Sequence, residues 1–255
     1  LVVPAIFNLL LRDPAFDASA LGAWRLGGFG GAPMPEGTIR ALAERLPNLA
    51  LFNAYGATET TSPTTLMPPG EQAAHLASVG RVLPCADVRV MDEHGREVPP
   101  GTAGELWIAG PMVVPGYWDN PDATARELAG GYWRSGDLGS IDADGHVFVF
   151  DRLKDLVNRG GYKVYCAEVE SALSLHPDVA EAAVIARPDP VLGEKTVAIV
   201  VRRRADCDAI ALRAHCARLL ADYKVPDFYV LRDEPLPRNA NGKMLKRALR
   251  ETYRA

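Results

Sequence analysis

Two Asp-x-x-Gly turns constrain this chain more than any other feature. Asp92-Glu-His-Gly95 is flanked by the apolar run Val88-Arg-Val-Met91 and by Glu97-Val98, and Asp142-Ala-Asp-Gly145 leads directly into His146-Val-Phe-Val-Phe150. Asp and Gly at this spacing reverse the backbone within a few residues, and a β-type run beside such a turn predicts a hairpin. Gly104-Glu-Leu-Trp-Ile-Ala109 supplies a further strand between the two turns. Short strands at this density, from about residue 66 to residue 150, predict a small barrel or a distorted sheet.

The flanking regions have other periods. From residue 1 to about 65, helix and strand alternate: Ile39, Leu42, Ala43 and Leu46 recur at helical spacing after Pro35-Glu-Gly37, and Leu49-Ala-Leu-Phe52 is a short buried run. This predicts part of an α/β layer. Beyond about residue 152 the pattern is α+β. A helix is expected around 167–175, stopping near His176-Pro177, with strands at 182–186 and 196–201. Leu212, Cys216, Leu219 and Leu220 share one helical face, and a last short helix follows Gly242. No repeat or low-complexity linker intervenes, so a boundary at Asp151 is expected to be a hinge between packed units. The expected fold is α/β plus α+β. Residues 1–150 would hold the end of an α/β subdomain (about 1–65) and a small distorted β-barrel subdomain (about 66–150), and residues 151–255 a small α+β domain.

The 255 residues suffice for one large or two ordinary domains, and the net charge of −4 gives no electrostatic reason to expect nucleic acid or an anionic membrane as partner. Cys85, Cys166, Cys207 and Cys216 form no C-x-x-C pair and no zinc-type spacing, which predicts reduced thiols and a cytoplasmic setting. The apolar stretch Leu1–Leu11 is too short to span a bilayer, contains Pro4 and Asn8 and lacks a basic leader, so neither a transmembrane segment nor a signal peptide is expected. The chain opens on Leu within a helical pattern, and an upstream part is expected. No coiled-coil heptad argues for a particular assembly.

Several segments offer chemistry, each with a plainer alternative. In Tyr55-Gly-Ala-Thr-Glu-Thr-Thr61, Gly56 allows close approach of a ligand, Thr58 can donate to a phosphate oxygen, Glu59 is a hard ligand suited to Mg²⁺ and Tyr55 offers a flat face for a base. An ordinary strand-to-loop turn accounts for it equally well. Gly27-Gly-Phe-Gly-Gly-Ala-Pro33 suits a ligand lying on the main chain, or a tight turn, and is not a dinucleotide fingerprint. Asp137, in Trp133-Arg-Ser-Gly-Asp-Leu138, can accept from both hydroxyls of a ribose or can simply sit in a turn. Arg152, in Asp151-Arg-Leu-Lys-Asp155, supplies a planar fork, and Gly160-Gly161 admits a thin ligand; a charged surface turn and a glycine bend are the plainer account. Pro235-Leu-Pro-Arg-Asn-Ala-Asn-Gly-Lys243 presents one lysine on a stiffened loop, which would otherwise be a solvated cation at a helix start.

Order and spacing decide what no single segment does. Gly-Gly-Ala-Pro, Tyr-Gly-Ala-Thr-Glu-Thr-Thr, Gly104 to Trp118, Ser-Gly-Asp-Leu, Asp-Arg-Leu-Lys-Asp and Pro-Arg-Asn-Ala-Asn-Gly-Lys, in that order over nearly the whole chain, resemble the adenylate-forming superfamily. That group holds acyl-CoA synthetases, firefly-type luciferases and nonribosomal peptide synthetase adenylation domains, and this chain is most similar to the C-terminal portion of an acyl-CoA synthetase. The resemblance implies ATP, Mg²⁺ and coenzyme A as reactants or cofactors, a fatty or aryl acid as substrate, and an acyl-AMP intermediate.

It also implies roles. Tyr55 would stack on adenine, lined by Gly31, Ala32 and Pro33, with Gly56 beside it; Thr58 would touch the α-phosphate and Glu59 would hold Mg²⁺. Asp137 would bind the ribose hydroxyls with help from Arg152. Lys243 would lie between the substrate carboxylate and the α-phosphate, and Gly160 and Gly161 would border the CoA tunnel. Residues 151–255 would act as a mobile lid turning about Asp151, with Lys243 serving adenylation and the Gly160-Gly161 side serving thioester formation. Two features depart from the family pattern. The upstream Ser/Thr/Gly-rich phosphate loop is absent from these 255 residues, so the chain alone is expected not to complete adenylation. Cys166 stands where many relatives have proline, and a packing role is expected for it. Loading of a carrier protein's phosphopantetheine is the alternative activity, and a non-catalytic AMP-binding module is the alternative from another class.

Overall fold

A computed structural model of the chain describes residues 1–239, 242 and 244–253. It forms two compact units, Leu1–Leu153 and Lys154–Ala255.

The first unit holds helices α1 (Pro4–Arg12), α2 (Glu36–Arg45) and α3 (Pro121–Glu127). Its strands are β1 (Leu26–Gly30), β2 (Ala50–Tyr55), β3 (Thr65–Leu66), β4 (Ser78–Val82), β5 (Asp87–Met91), β6 (Gly104–Ala109), β7 (Leu128–Ala129), β8 (Tyr132–Ile141) and β9 (His146–Arg152). Helix α1 opens on Pro4, whose fixed φ suits a first helical position, and buries Phe7, which stacks on Trp24 at 5.8 Å and joins Phe29, Ile39, Leu42 and Leu51 in one core. Ala43, placed on the apolar face of α2 by its spacing, is exposed.

All nine strands lie in one sheet, ordered β1-β2-β3-β4-β9-β8-β6-β5, with β7 on β8. Strands β1 and β2 are parallel, and the other pairs are antiparallel. This overturns the expected distorted β-barrel. Closure would need the first and last hairpin strands to pair, but the edge of β4 is taken by β3, which joins the hairpin strands to β1 and β2. At the other end, only the isolated Met91–Glu97 bridge lies beyond β5 among the described residues. The sheet is open, and the segments expected to be separate subdomains share it.

The glycine run occupies β1 rather than a loop. A Cβ on Gly30 would come within 2.3 Å of the Ala54 carbonyl oxygen, and one on Gly28 within 2.6 Å of the Phe52 ring. The parallel β1–β2 contact therefore requires glycine there whatever binds nearby. Gly30→Ala is expected to destabilise the protein by about 1–3 kcal/mol, read as a lower urea midpoint with an unchanged slope; an unchanged midpoint would show that the pairing is not that tight.

The second unit has strands β10 (Val157–Arg159), β11 (Tyr162–Val164), β12 (Val179–Asp189), β13 (Gly193–Arg202) and β14 (Phe228–Arg232), and helices α4 (Cys166–Ser174), α5 (Ala209–Leu219) and α6 (Lys246–Thr252). The sheet runs β11-β10-β13-β12, with β14 parallel to β13. Side chains alternate across it. Val184, Ala198 and Val200 meet Val169 and Leu173 of α4 and Leu212 and Cys216 of α5, while Ile185, Val197 and Ile199 meet Leu236 and Leu249. Cover on both faces explains the unbroken apolar run at 197–201. On α5 the buried stripe is Leu212 and Cys216; Leu219 points out. Cys166 is fully buried and its thiol donates to the Asp155 carbonyl at 3.0 Å, so it packs as expected. All four cysteines are free, and no described helix is long and apolar enough to cross a membrane.

Candidate active site

Strands β1 and β2 are parallel and in register to Gly30 and Ala54, so the segments after them leave the same end of the sheet. These are Gly31-Ala-Pro33, which is exposed, and Tyr55 to Glu59. Ligands in sheets of this kind are commonly held at the carboxyl ends of parallel strands.

Tyr55 is the last residue of β2, and its hydroxyl donates to Asp137 Oδ2 at 2.7 Å. Asp137 lies within β8, not in a turn, and is only 5% exposed. Directly across the β8–β9 pair is Arg152, whose Nε sits 2.8 Å from Asp137 Oδ1. The buried carboxylate thus has a phenol on one oxygen and a guanidinium on the other, as a buried charge requires. Burial, reinforced by the Asp137 charge, raises the Tyr55 phenol well above its ordinary range, so it stays protonated and donates. The Arg152 side chain is 40% exposed, which leaves donors of its fork in reach of a ligand.

Thr58 and Glu59 occupy a short 3₁₀ turn, Thr58–Thr60, pinned where the Ala57 N–H meets the buried Thr60 hydroxyl. Thr58 is exposed and Glu59 half-buried. Tyr117 donates to Glu59 Oε1 at 3.1 Å and receives the Trp133 indole N–H at 3.2 Å, while the Glu59 carbonyl accepts from Val114. Burial, helped by Glu59, raises the Tyr117 phenol as well. Tyr117 and Trp133 were not singled out from the sequence. Their one signal was membership of the Gly104–Trp118 and Trp133–Leu138 segments. Gly56 sits against its own chain: a Cβ there would meet Pro63 Cα and Thr64 N at 3.0 Å.

Asp151 is buried in β9 and paired with Leu138, two residues before the end of the first unit. In the second unit, Gly160 and Gly161 form the two-residue turn between β10 and β11, with φ of 57° and 88°, the left-handed values that such a hairpin demands. Both are exposed. Lys243 lies outside the described residues.

Comparison with known proteins gives the family of this two-unit α/β chain. Residues 1–118 match the model of the AMP-binding enzyme family, and residues 168–243 match that of the AMP-binding enzyme C-terminal domain. The chain is 38% identical over 252 residues to a long-chain-fatty-acid–CoA ligase of Yersinia pestis, covering 98% of this chain and 44% of that protein. It is 36% identical over 259 residues to the fatty acid–[acyl-carrier-protein] ligase ScoC of Streptomyces coeruleorubidus, covering 99% and 49%. The solved structure of ATP-bound MatB from Rhodopseudomonas palustris superposes with a TM-score of 0.91 at 37% identity, over 99% of this chain and 50% of that one. The chain belongs to the adenylate-forming, AMP-binding enzyme family. It spans about half the length of the curated relatives it matches.

Proposed function

We propose that this chain serves an AMP-forming acid–thiol ligase. A carboxylate oxygen attacks the α-phosphorus of ATP, the bond to the β-phosphate oxygen breaks, and pyrophosphate leaves. The sulfur of coenzyme A then attacks the acyl carbon, and AMP leaves with the carboxyl-derived oxygen. The observation that carries this reading is the Tyr55–Asp137–Arg152 linkage at the end of the parallel strands, with the Thr58–Glu59 turn following Tyr55 in the chain.

In this reading Asp137 accepts from the ribose hydroxyls, and Arg152 donates beside it. The bond from Tyr55 to Asp137 fixes the ring on which adenine stacks, with Gly31, Ala32 and Pro33 bordering it and Gly56 next in the chain. Thr58 donates to the α-phosphate. The donor set at the turn, a half-buried carboxylate oriented by Tyr117, is the hard oxygen type that fits Mg²⁺. Bound there, Mg²⁺ would offset charge on the phosphoryl oxygens. Lys243 is assigned to the reacting carboxylate and α-phosphate, and the Gly160–Gly161 turn to the pantetheine path. We place the hinge at Asp151 and assign residues 1–150 to the nucleotide-binding part and 151–255 to a lid that serves the two steps in turn. A cytoplasmic setting follows from the use of ATP and coenzyme A beside four free cysteines.

A fatty or aryl acid is the proposed substrate class, in keeping with the relatives' names. The similarity to ScoC keeps carrier-protein loading as a second reading. A non-catalytic AMP-binding module is disfavoured by the presence together of Glu59, Asp137, Arg152 and Lys243. The test offers coenzyme A and a phosphopantetheinylated carrier protein side by side to the intact protein with Mg-ATP and fatty, aryl and short acids. Thioester on coenzyme A with a fatty or aryl acid is expected. Thioester on the carrier alone would replace the acceptor, and AMP binding without any acyl product would replace the activity.

A further inference from the structure

We propose that Glu71, His75 and His146 form a binding site for a divalent transition ion of the zinc type, distinct from the nucleotide site. One potential ligand atom from each residue lies within 4.8 Å of the others. Two segments bring them together. The N–H groups of Ala74 and His75 donate to the Glu71 carbonyl at 3.0 and 3.2 Å, a helical turn that puts positions 71 and 75 on one face. His146 opens β9 and pairs across to Arg81 of β4.

Three further observations bear on a ligand. His146 is 2% exposed, yet its Nδ1 has no hydrogen-bond partner, an unusual cost for a buried ring nitrogen. Asp142 Oδ2 lies 3.7 Å from that nitrogen, too far for a hydrogen bond but placed to close on it and orient the ring, as carboxylates do behind metal-bound histidines. The His75 and His146 rings stack 4.0 Å apart with 21° between their planes, so the two imidazoles are adjacent, and His75 must turn out of the stack for both in-plane lone pairs to meet one ion. Zn–N and Zn–O bonds of about 2.0–2.2 Å need ligand atoms closer than 4.8 Å. Rotation of the half-buried His75 and the exposed Glu71 would supply the closure.

The donor set decides the class of ion. Two imidazoles with one carboxylate suit zinc and its neighbours, whereas magnesium prefers oxygen alone. Arg81 competes for the site: its Nε lies 3.5 Å from His146 Nε2, on an exposed side chain that can swing into solvent. Bound zinc would tie residues 71–75 to the start of β9, the strand that ends at Asp151 and Arg152.

Zinc titration of the intact protein against a chromophoric chelator tests this, with excess Mg²⁺ present so that the nucleotide-site metal does not report. We expect one zinc bound through this cluster, with affinity falling at least about 10-fold in both His75→Ala and Glu71→Gln and rising in Arg81→Ala. Zinc near 100 times Kd should raise Tm by roughly 5 °C in the unaltered protein and by much less in the two ligand variants. Neither substituted ligand is deeply buried, so both variants should fold, and their Tm without zinc verifies this. Absence of zinc binding, or equal binding by the unaltered protein and both ligand variants, would overturn the site and leave only a stacked histidine pair beside a surface glutamate.

Discussion

Lys243→Ala is expected to lower acyl-adenylate formation by roughly 10²–10³-fold, the usual loss when one donor to a developing anion is removed. Carboxylate and triphosphate approach each other as two anions, and the proposed mechanism places the positive charge of Lys243 between them. The loss should be confined to that half-reaction. Thioester formation from supplied acyl-AMP and coenzyme A should keep most of its rate, because the proposal assigns that step to the Gly160–Gly161 side of the same domain. Single-turnover assays of the two halves separate these outcomes. Equal loss in both would remove Lys243 from its assigned role and make it a general structural or binding residue.

Asp137→Ala is expected to have the second largest effect, on both stability and nucleotide affinity. The substitution leaves the Tyr55 phenol without its acceptor and Arg152 without its carboxylate. The buried phenol should account for most of a loss of about 1–3 kcal/mol in unfolding free energy, since Arg152 is partly solvated and water can take up its charge. AMP affinity should fall as well, because the assigned ribose acceptor is gone. Tyr55→Phe provides the control: it keeps the ring and removes one hydrogen bond, for about 0.5–1.5 kcal/mol, with a smaller effect on AMP. Calorimetric AMP binding beside urea denaturation reads both quantities. Normal AMP affinity in a folded Asp137→Ala protein would refute the ribose assignment.

Local chemistry made much of the fold legible. The strand 104–109 was read to the residue, and the helix expected at 167–175 forms at Cys166–Ser174, because period, turn residues and stops all lie within a few positions of one another. The expected barrel fails because closure depends on which distant strands pair, and the strand that prevents it, Thr65–Leu66, is too short to leave a pattern. The Gly27–Gly30 run reads as a ligand-bearing segment or a tight turn in the sequence because the partners that demand glycine, Phe52 and Ala54, become neighbours only when β1 and β2 pair. For Asp137 the sequence leaves a turn open beside the ribose reading because Gly136 precedes it, whereas both lie inside a ten-residue strand. The structure joins Tyr55, Asp137 and Arg152 across 82 positions of sequence and across the β8–β9 pair. The Glu59–Tyr117–Trp133 chain stayed hidden for the same reason: its members are far apart in sequence and each, taken singly, is ordinary.

Hydroxylamine trapping of the acyl-adenylate tests the central claim most directly. The intact protein is incubated with Mg-ATP, hydroxylamine and a panel of fatty, aryl and short acids, without coenzyme A. Acyl hydroxamate and pyrophosphate formed in equal amounts with a fatty or aryl acid is the predicted result. No hydroxamate with any acid, from protein that still binds AMP, would contradict carboxylate activation and leave a nucleotide-binding module in its place.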